Sequence, residues 1–304
     1  MGGNALHYDP KHPPMIEVLG RRLPVIDGHV HVFPDDIRLA REAFVERDGW
    51  FAELYSPEKA KLASTEELIA SMDRSGVDGA ILCGFPWRHA EMCRLHNLYM
   101  LESVAAYPDR LSWLGIASPI DDGEAEARWC LANGAVGIGE LNADAQGFRW
   151  TDADLLMPIA ATCAAAGRPM LVHGSEPVGH PYPGKGTATP DQLLALATIA
   201  PDVDIVAAHW GGGLPFYELM PEVRTTLTRV VYDCAATSYL YALDVFPTVI
   251  NLVGSSKVMF GSDFPVLGQG RLLTKVAALP WASVDDAAMV LAGTAERLFG
   301  MGGS

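Results

Sequence analysis

Eight short β-rich runs, each followed by a segment of helical character, divide this chain, and that strict alternation limits what it can fold into more than any other feature. The runs are 23–29 (LPVIDGH), 79–85 (GAILCGF), 111–117 (LSWLGIA), 136–141 (VGIGEL), 169–173 (PMLVH), 203–209 (VDIVAAH), 229–235 (RVVYDCA) and 257–262 (KVMFGS). Parallel neighbours need a crossover, for which a helix is the usual solution, so the alternation predicts a parallel sheet. Eight units is the count that closes a (β/α)8 TIM barrel, and 304 residues is an ordinary length for one. The competing arrangement is a doubly wound open sheet. No G-x-G-x-x-G turn follows the first run, where such a sheet would hold a dinucleotide. The expected organisation is an N-terminal extension over 1–22 and a single barrel domain over 23–300.

Several helix ends are readable. Ser64-Thr65-Glu66-Glu67 has the form of a capping box, and Gly76 supplies the left-handed stop of the helix it opens. A second helix is expected from Thr151 to Gly167 and a last one over 283–299. Residues 35–60 are too many for an ordinary loop after the first strand and predict an extra helix at the barrel mouth.

Composition narrows the partners. Lysine and arginine number 22 against 37 acidic residues, a net charge of −15, so the overall field repels nucleic acid and anionic lipid. The five cysteines are odd in number, widely spaced and include no CxxC pair, the pattern of reduced core thiols and hence of a cytoplasmic protein. Residues 1–14 lack the apolar core of a secretory signal, and Leu6 stands where a myristoylation motif wants Ser or Thr. No apolar run approaches the ~18 residues of a membrane helix. The apolar helical stretch 239–252 suits a core or the interface of a homo-oligomer equally.

The reactive residues of a barrel come from the C-terminal ends of its strands. The first run leads into His29-Val30-His31, and two residues of extended chain put both imidazoles on one face about 7 Å apart at Cα, within reach of one metal ion. Alone, such a pair is as readily two hydrogen-bonded histidines. Other strand ends carry Glu140, His173, His209 and Asp263, so four of the nine histidines occupy strand ends. His7, His12, His89, His96 and His180 fall in loops, helices or the tail. Asp263 by itself would read as a helix cap. Imidazoles with one carboxylate suit zinc, nickel, manganese or iron, whereas calcium and magnesium ask for more oxygen ligands.

The segments IDGHVHVF, YPDRLSWLGIASP, VGIGELN, PMLVHGSEPVGH, IVAAHWGGG, VMFGSDFP and GTAERLFG together resemble the amidohydrolase superfamily. The resemblance covers residues 23 to 300 and is to the branch that includes aminocarboxymuconate semialdehyde decarboxylase and many TIM-barrel metal-dependent hydrolases. It implies that His29, His31, His173 and Asp263 hold one divalent metal, zinc first, with manganese, iron(II) or nickel as alternatives. It also implies that His209 lies beside the metal to orient and deprotonate water or substrate, with Asp263 as the other proton-handling group. Glu140 is then either a bridge to a second metal or a hydrogen-bond partner of a ligand histidine.

Two reaction classes follow. Hydrolysis of the amide, ester or lactone of a small carboxylated substrate, by water made acidic at the metal, is the first expectation. The alternative is metal-dependent non-oxidative decarboxylation, or hydration, of a small unsaturated or aromatic carboxylic acid. Candidate substrate contacts are Trp87 and Arg88 after strand two, His180 and Lys185 after strand five, and Trp210 after strand six. A guanidinium can take a carboxylate through two parallel hydrogen bonds. Each has a plainer reading beside it: the tryptophans as packing of the barrel rim, the loop cations as solvated charges.

Overall fold

In the computed structural model, which describes residues 15–300, the eight runs become eight parallel strands: β1 (Ile26–His31), β2 (Gly79–Cys83), β3 (Leu111–Trp113), β4 (Ile138–Leu141), β5 (Met170–Val172), β6 (Ile205–Ala207), β7 (Val230–Asp233) and β8 (Val258–Met259). Neighbours in sequence are neighbours in space, in two ladders, β1 to β3 and β4 to β8. Backbone hydrogen bonds close both seams. Gly28 N donates to Phe260 O at 2.9 Å and Asp263 N to His29 O at 3.0 Å, beside a parallel bridge between Val30 and Phe264. At the other seam Gly115 N donates to Gly137 O at 2.9 Å and Gly139 N to Gly115 O at 2.8 Å. The fold is a (β/α)8 barrel.

Its interior is filled by Ile81, Leu171, Val206, Val231 and Met259, all buried. Strands covered on both faces read as near-continuous apolar runs, which is why short stretches such as MLV and IVA sufficed to mark them. Gly28 is required by this filling: a Cβ there would fall 2.6 Å from the Met259 sulfur. Ala292, Ala295, Leu298 and Phe299 of the C-terminal helical segment pack on the same cluster. The five cysteines are buried and free.

The capping box forms as its sequence requires, with Ser64 accepting from Glu67 N, Glu67 accepting from Ser64 N, and Gly76 ending the helix at φ 75°. The helix expected from Thr151 starts two residues later, at Ala153, and stops at Gly167 with φ 61°. Within residues 35–60, after β1, lie three short helices, Asp35–Leu39, Arg41–Arg47 and Gly49–Tyr55, where one was expected. Asp48 caps the third by accepting from Phe51 N at 2.8 Å. Phe51 and Tyr55 then pack with Phe33 and Phe85 of the barrel, at centroid distances of 4.8 to 6.4 Å, and fix this insert over the strand ends. The stretch 239–252 divides into Thr237–Leu240 and Val245–Val253, with Val245, Phe246 and Val249 in the core. Glu17–Val18 pairs with Arg21–Arg22 as a small hairpin; residues 1–14 of the N-terminal extension lie outside the described residues. No helix among the described residues is long and apolar enough to cross a membrane.

Candidate active site

The barrel brings His29, His31, Glu140, His173, His209 and Asp263 to one place at the C-terminal ends of its strands. Glu140, on β4, is central: its Oε1 accepts from His173 Nδ1 at 2.8 Å and lies 3.6 Å from His209 Nε2, while Oε2 lies 3.5 Å from His29 Nε2 and 3.6 Å from His31 Nε2. Asp263 Oδ1 is 3.5 Å from His31 Nε2. Two triplets of donors are close enough to share an ion, His29 with Glu140 and His209, and His29 with His31 and Asp263. His209, Trp210 and Asp263 all sit at positive φ, between 57° and 66°, a conformation costing about 1 kcal/mol or more for a residue with a Cβ. The turn after His209 also depends on Gly212, where a Cβ would lie 2.1 Å from Ser175 O.

The hydrogen-bond pattern tests whether these residues suit a metal. His31 Nδ1 lies 3.1 Å from the Cys83 carbonyl, which can only accept, and His29 Nδ1 lies 2.8 Å from Asp233 Oδ2. Both Nδ1 atoms therefore carry the hydrogen, and both bare Nε2 atoms face each other at 3.1 Å. Two lone pairs at that distance repel unless a positive charge lies between them. A proton or a metal ion meets the need. Burial works against charge on His29, but the Asp233 carboxylate outweighs it and holds the His29 pKa well above its ordinary value; burial, and then the charge on His29, lower that of His31. Burial also opposes the charge of Glu140, yet His29 and His173 keep it ionised, well below the usual carboxylate range. His173 Nδ1 is committed to Glu140, and its Nε2 is buried without a partner. The imidazole nitrogens and carboxylates gathered in the two triplets fit a transition-metal ion; His173 joins neither triplet and adds a buried, unpartnered nitrogen to the site.

Above this floor opens a cavity of about 270 Å³. Trp50, Leu54 and Tyr55 of the helical insert, Phe85 after β2, and Leu240 and Leu267 form its apolar wall. The candidate substrate contacts named from the sequence are placed elsewhere. Trp87 is fully buried, stacked on Phe51 and donating from Nε1 to His96 Nδ1 at 3.0 Å. Trp210 is fully buried and donates to Thr237 Oγ1 at 2.9 Å. Arg88 is exposed and lies over Gly147, where an added Cβ would fall 2.9 Å from its guanidinium. Lys185 Nζ donates to Val178 O at 2.7 Å and to His180 O at 3.3 Å, and His180 packs on Tyr182 and Tyr239 beside a separate hollow. None of the five lines the cavity over the histidines.

A family model described as Amidohydrolase matches residues 26–301, nearly the whole chain. The chain belongs to the amidohydrolase family. The chain shares its fold with 5-carboxyvanillate decarboxylase from Sphingomonas paucimobilis, at a TM-score of 0.76 and 19% identity over 92% of this chain and 100% of that one. The enzyme of the same name from Novosphingobium aromaticivorans, solved with manganese and 4-hydroxy-3-methoxy-5-nitrobenzoic acid, superposes with a TM-score of 0.74 at 18% identity, over 91% and 96% of the two chains. A dihydroxybenzoic acid decarboxylase from a Polaromonas species, solved with manganese and 2-nitroresorcinol, gives 0.72 at 18% identity, over 93% and 98%. At these identities the likeness establishes the barrel. No protein of curated function matches the chain.

Two residues of the site, Asp233 and Tyr55, are not among the candidates that the sequence offers. Asp233, fully buried at the end of β7, accepts from His29 Nδ1 through Oδ2 and from His209 N (2.8 Å) and Ala235 N (3.0 Å) through Oδ1. It fixes the tautomer of one histidine and the backbone of the other. Its signal was present, an acid within the otherwise apolar seventh run, at the strand end where His173 and His209 were sought. Tyr55 also went unnoticed, because an aromatic residue in an amphipathic segment reads as core.

Proposed function

We propose that this member of the amidohydrolase family is a metal-dependent, non-oxidative decarboxylase of a small aromatic carboxylic acid. The observation that carries the reading is a floor of imidazoles and carboxylates under an aromatic, apolar wall in one cavity, within a fold shared with enzymes named as decarboxylases of ring acids. His29, His31, His173 and Asp263 would hold the ion. When bound, the metal supplies a positive anchor for a substrate carboxylate and a neighbouring oxygen, and withdraws electron density from them.

The remaining work belongs to side chains. Tyr55, Phe85 and Leu267 offer a ring the apolar surface that keeps it upright over the floor. When carbon dioxide leaves, one C–C bond breaks and its electron pair stays on a ring carbon, which must receive one proton to form the new C–H bond. His209 is the group placed to deliver it. Burial disfavours its charge, but in the metal-free site the carboxylates of Glu140, Asp263 and Asp233 prevail and hold its pKa up at about 9. Its Nδ1 points to Ala235 O at 3.3 Å, which leaves Nε2 on the side of Glu140 and the cavity. Asp263, 3.5 Å from His31, is the other proton-handling group.

Manganese, present in two of the solved relatives in fold, is the first ion to supply, with zinc as the comparison. The test is incubation of metal-loaded protein with hydroxybenzoic acids and, separately, with lactones and esters. Carbon dioxide release with one solvent deuterium incorporated at the vacated carbon is expected. Hydrolysis of a lactone or ester, with no carbon dioxide from any acid, would return the reading to the hydrolase expected first from the sequence.

A further inference from the structure

We infer that the cavity selects a single-ring monocarboxylate with an uncharged far edge and rejects a ring bearing a second carboxylate. The inference rests on the reading of the site as a decarboxylase and goes on to name its substrate class. Three observations carry it. The cavity, about 270 Å³, lies just below the ~300–1,000 Å³ usual for ligand pockets, so it accommodates one ring with small substituents. Its imidazoles and carboxylates are all on the floor, His31, Glu140, His173, His209 and Asp263, and the other titratable side chains of the lining are three tyrosines. With its carboxylate on that floor, a ring is left Trp50, Leu54, Leu240 and Leu267 as apolar lining for its opposite edge.

No lysine or arginine lines that wall among the described residues, and cations outside it are committed to other partners: Arg41, whose charge is felt at Tyr55, donates to the carbonyls of Pro57, Glu58 and Ala60. Lys185 spends its ammonium on two backbone carbonyls, and Arg88 lies against Gly147. Glu53, on the insert, uses Oε1 to accept from Gly184 N at 2.9 Å and adds no positive charge. A second carboxylate would give up its hydration to face leucine and tryptophan side chains, within a protein of net charge −15. Three tyrosines line the cavity, Tyr55, Tyr182 and Tyr239; Tyr182 donates its hydroxyl to Glu176, and neutral hydroxyls such as those of the other two suit a hydroxyl or methoxy substituent better than an anion. The uncompensated charge should weaken binding at least about tenfold.

The experiment is calorimetric titration of manganese-loaded protein with salicylate, with its methyl derivative para to the hydroxyl, and with the corresponding carboxyl derivative. Carbon dioxide release is measured in parallel. The methyl compound is expected to bind at least as tightly as salicylate, and the carboxyl compound at least about tenfold more weakly. Equal or tighter binding of the carboxyl compound overturns the inference, as does failure of all three to bind. Val266→Arg adds a cation at the rim, where the side chain is 58% exposed and the change puts little strain on the fold. It should narrow the gap between the methyl and carboxyl compounds; an unchanged gap overturns the inference. The two readings fail separately. The expected order of binding without carbon dioxide from any ligand removes the decarboxylase and leaves the selectivity, whereas release chiefly from the diacid does the reverse.

Discussion

Replacing Asp233 with Asn should cost the site its metal affinity while leaving the barrel folded. The carboxylate serves three donors, with Oδ1 facing His209 N and Ala235 N and Oδ2 facing His29 Nδ1. An amide can preserve only one side. Keeping its oxygen toward the two buried backbone N–H groups avoids stranding both, so the NH2 group turns to His29. His29 Nδ1 must then accept, and its hydrogen moves to Nε2, the nitrogen that faces His31 at 3.1 Å. In the metal-free protein the new Nε2–H donates to His31 and the pair is satisfied. For an ion the same change removes a ligand lone pair. A charge-assisted hydrogen bond is worth about 1.5–3 kcal/mol, and loss of such a partner behind a ligand histidine typically weakens metal binding by ~10–100-fold. Manganese titration followed by electron paramagnetic resonance reads the affinity, and thermal unfolding of the metal-free protein reads the fold. An unchanged affinity in a variant that melts with the parent would refute the tautomer argument, and collapse of the metal-free variant would show that Asp233 is needed for folding first.

Three other outcomes are expected. His209→Asn should retain metal while carbon dioxide release falls by roughly 10²–10⁴-fold, the range for a lost proton donor, and metal analysis showing depletion would place His209 among the ligands. Arg88→Met and Lys185→Met should each leave the salicylate dissociation constant within about twofold of the parent's, since neither side chain reaches the cavity; a tenfold change in either would contradict that placement. Burial holds His96 down at a pKa of about 4, where it accepts from Trp87 Nε1 and Phe85 N and donates to Val32 O. The unfolded chain binds this proton below its ordinary 6.5 and the folded chain does not, so stability should fall by about 3 kcal/mol as pH drops from 6.5 to 4. Urea unfolding across that window should show a shallower pH slope in His96→Asn, and parallel slopes would remove His96 as the cause.

How legible the fold was depended on how local its signals are. The eight strands were readable because each is buried on both faces, and the capping box at Ser64 and Glu67 because its atoms lie within three residues of each other. Strand ends were harder: β1 begins at Ile26 and runs through His31, whereas the sequence placed it over 23–29. The two tryptophans show a deeper limit. A tryptophan just past a strand end suits the wall of a site or the packing behind it, and the choice fell to distant acceptors, His96 Nδ1 for Trp87 and Thr237 Oγ1 for Trp210. Arg88 and Lys185 lie on loops near the mouth, yet the direction of each cation is set by contacts that no spacing reveals, such as the carbonyls of Val178 and His180.

The division between floor and wall has an evolutionary consequence. Glu140, the histidines, Asp233 and Asp263 come from or just beyond barrel strands, where each is tied to the others and a substitution disturbs several at once. Trp50, Leu54 and Tyr55 come instead from one short helix, Gly49–Tyr55, anchored by its own cap at Asp48 and by the Glu53 contact to Gly184. A lineage carrying this barrel can therefore rewrite that helix and change its diet of ring substituents while the reaction itself is inherited unaltered.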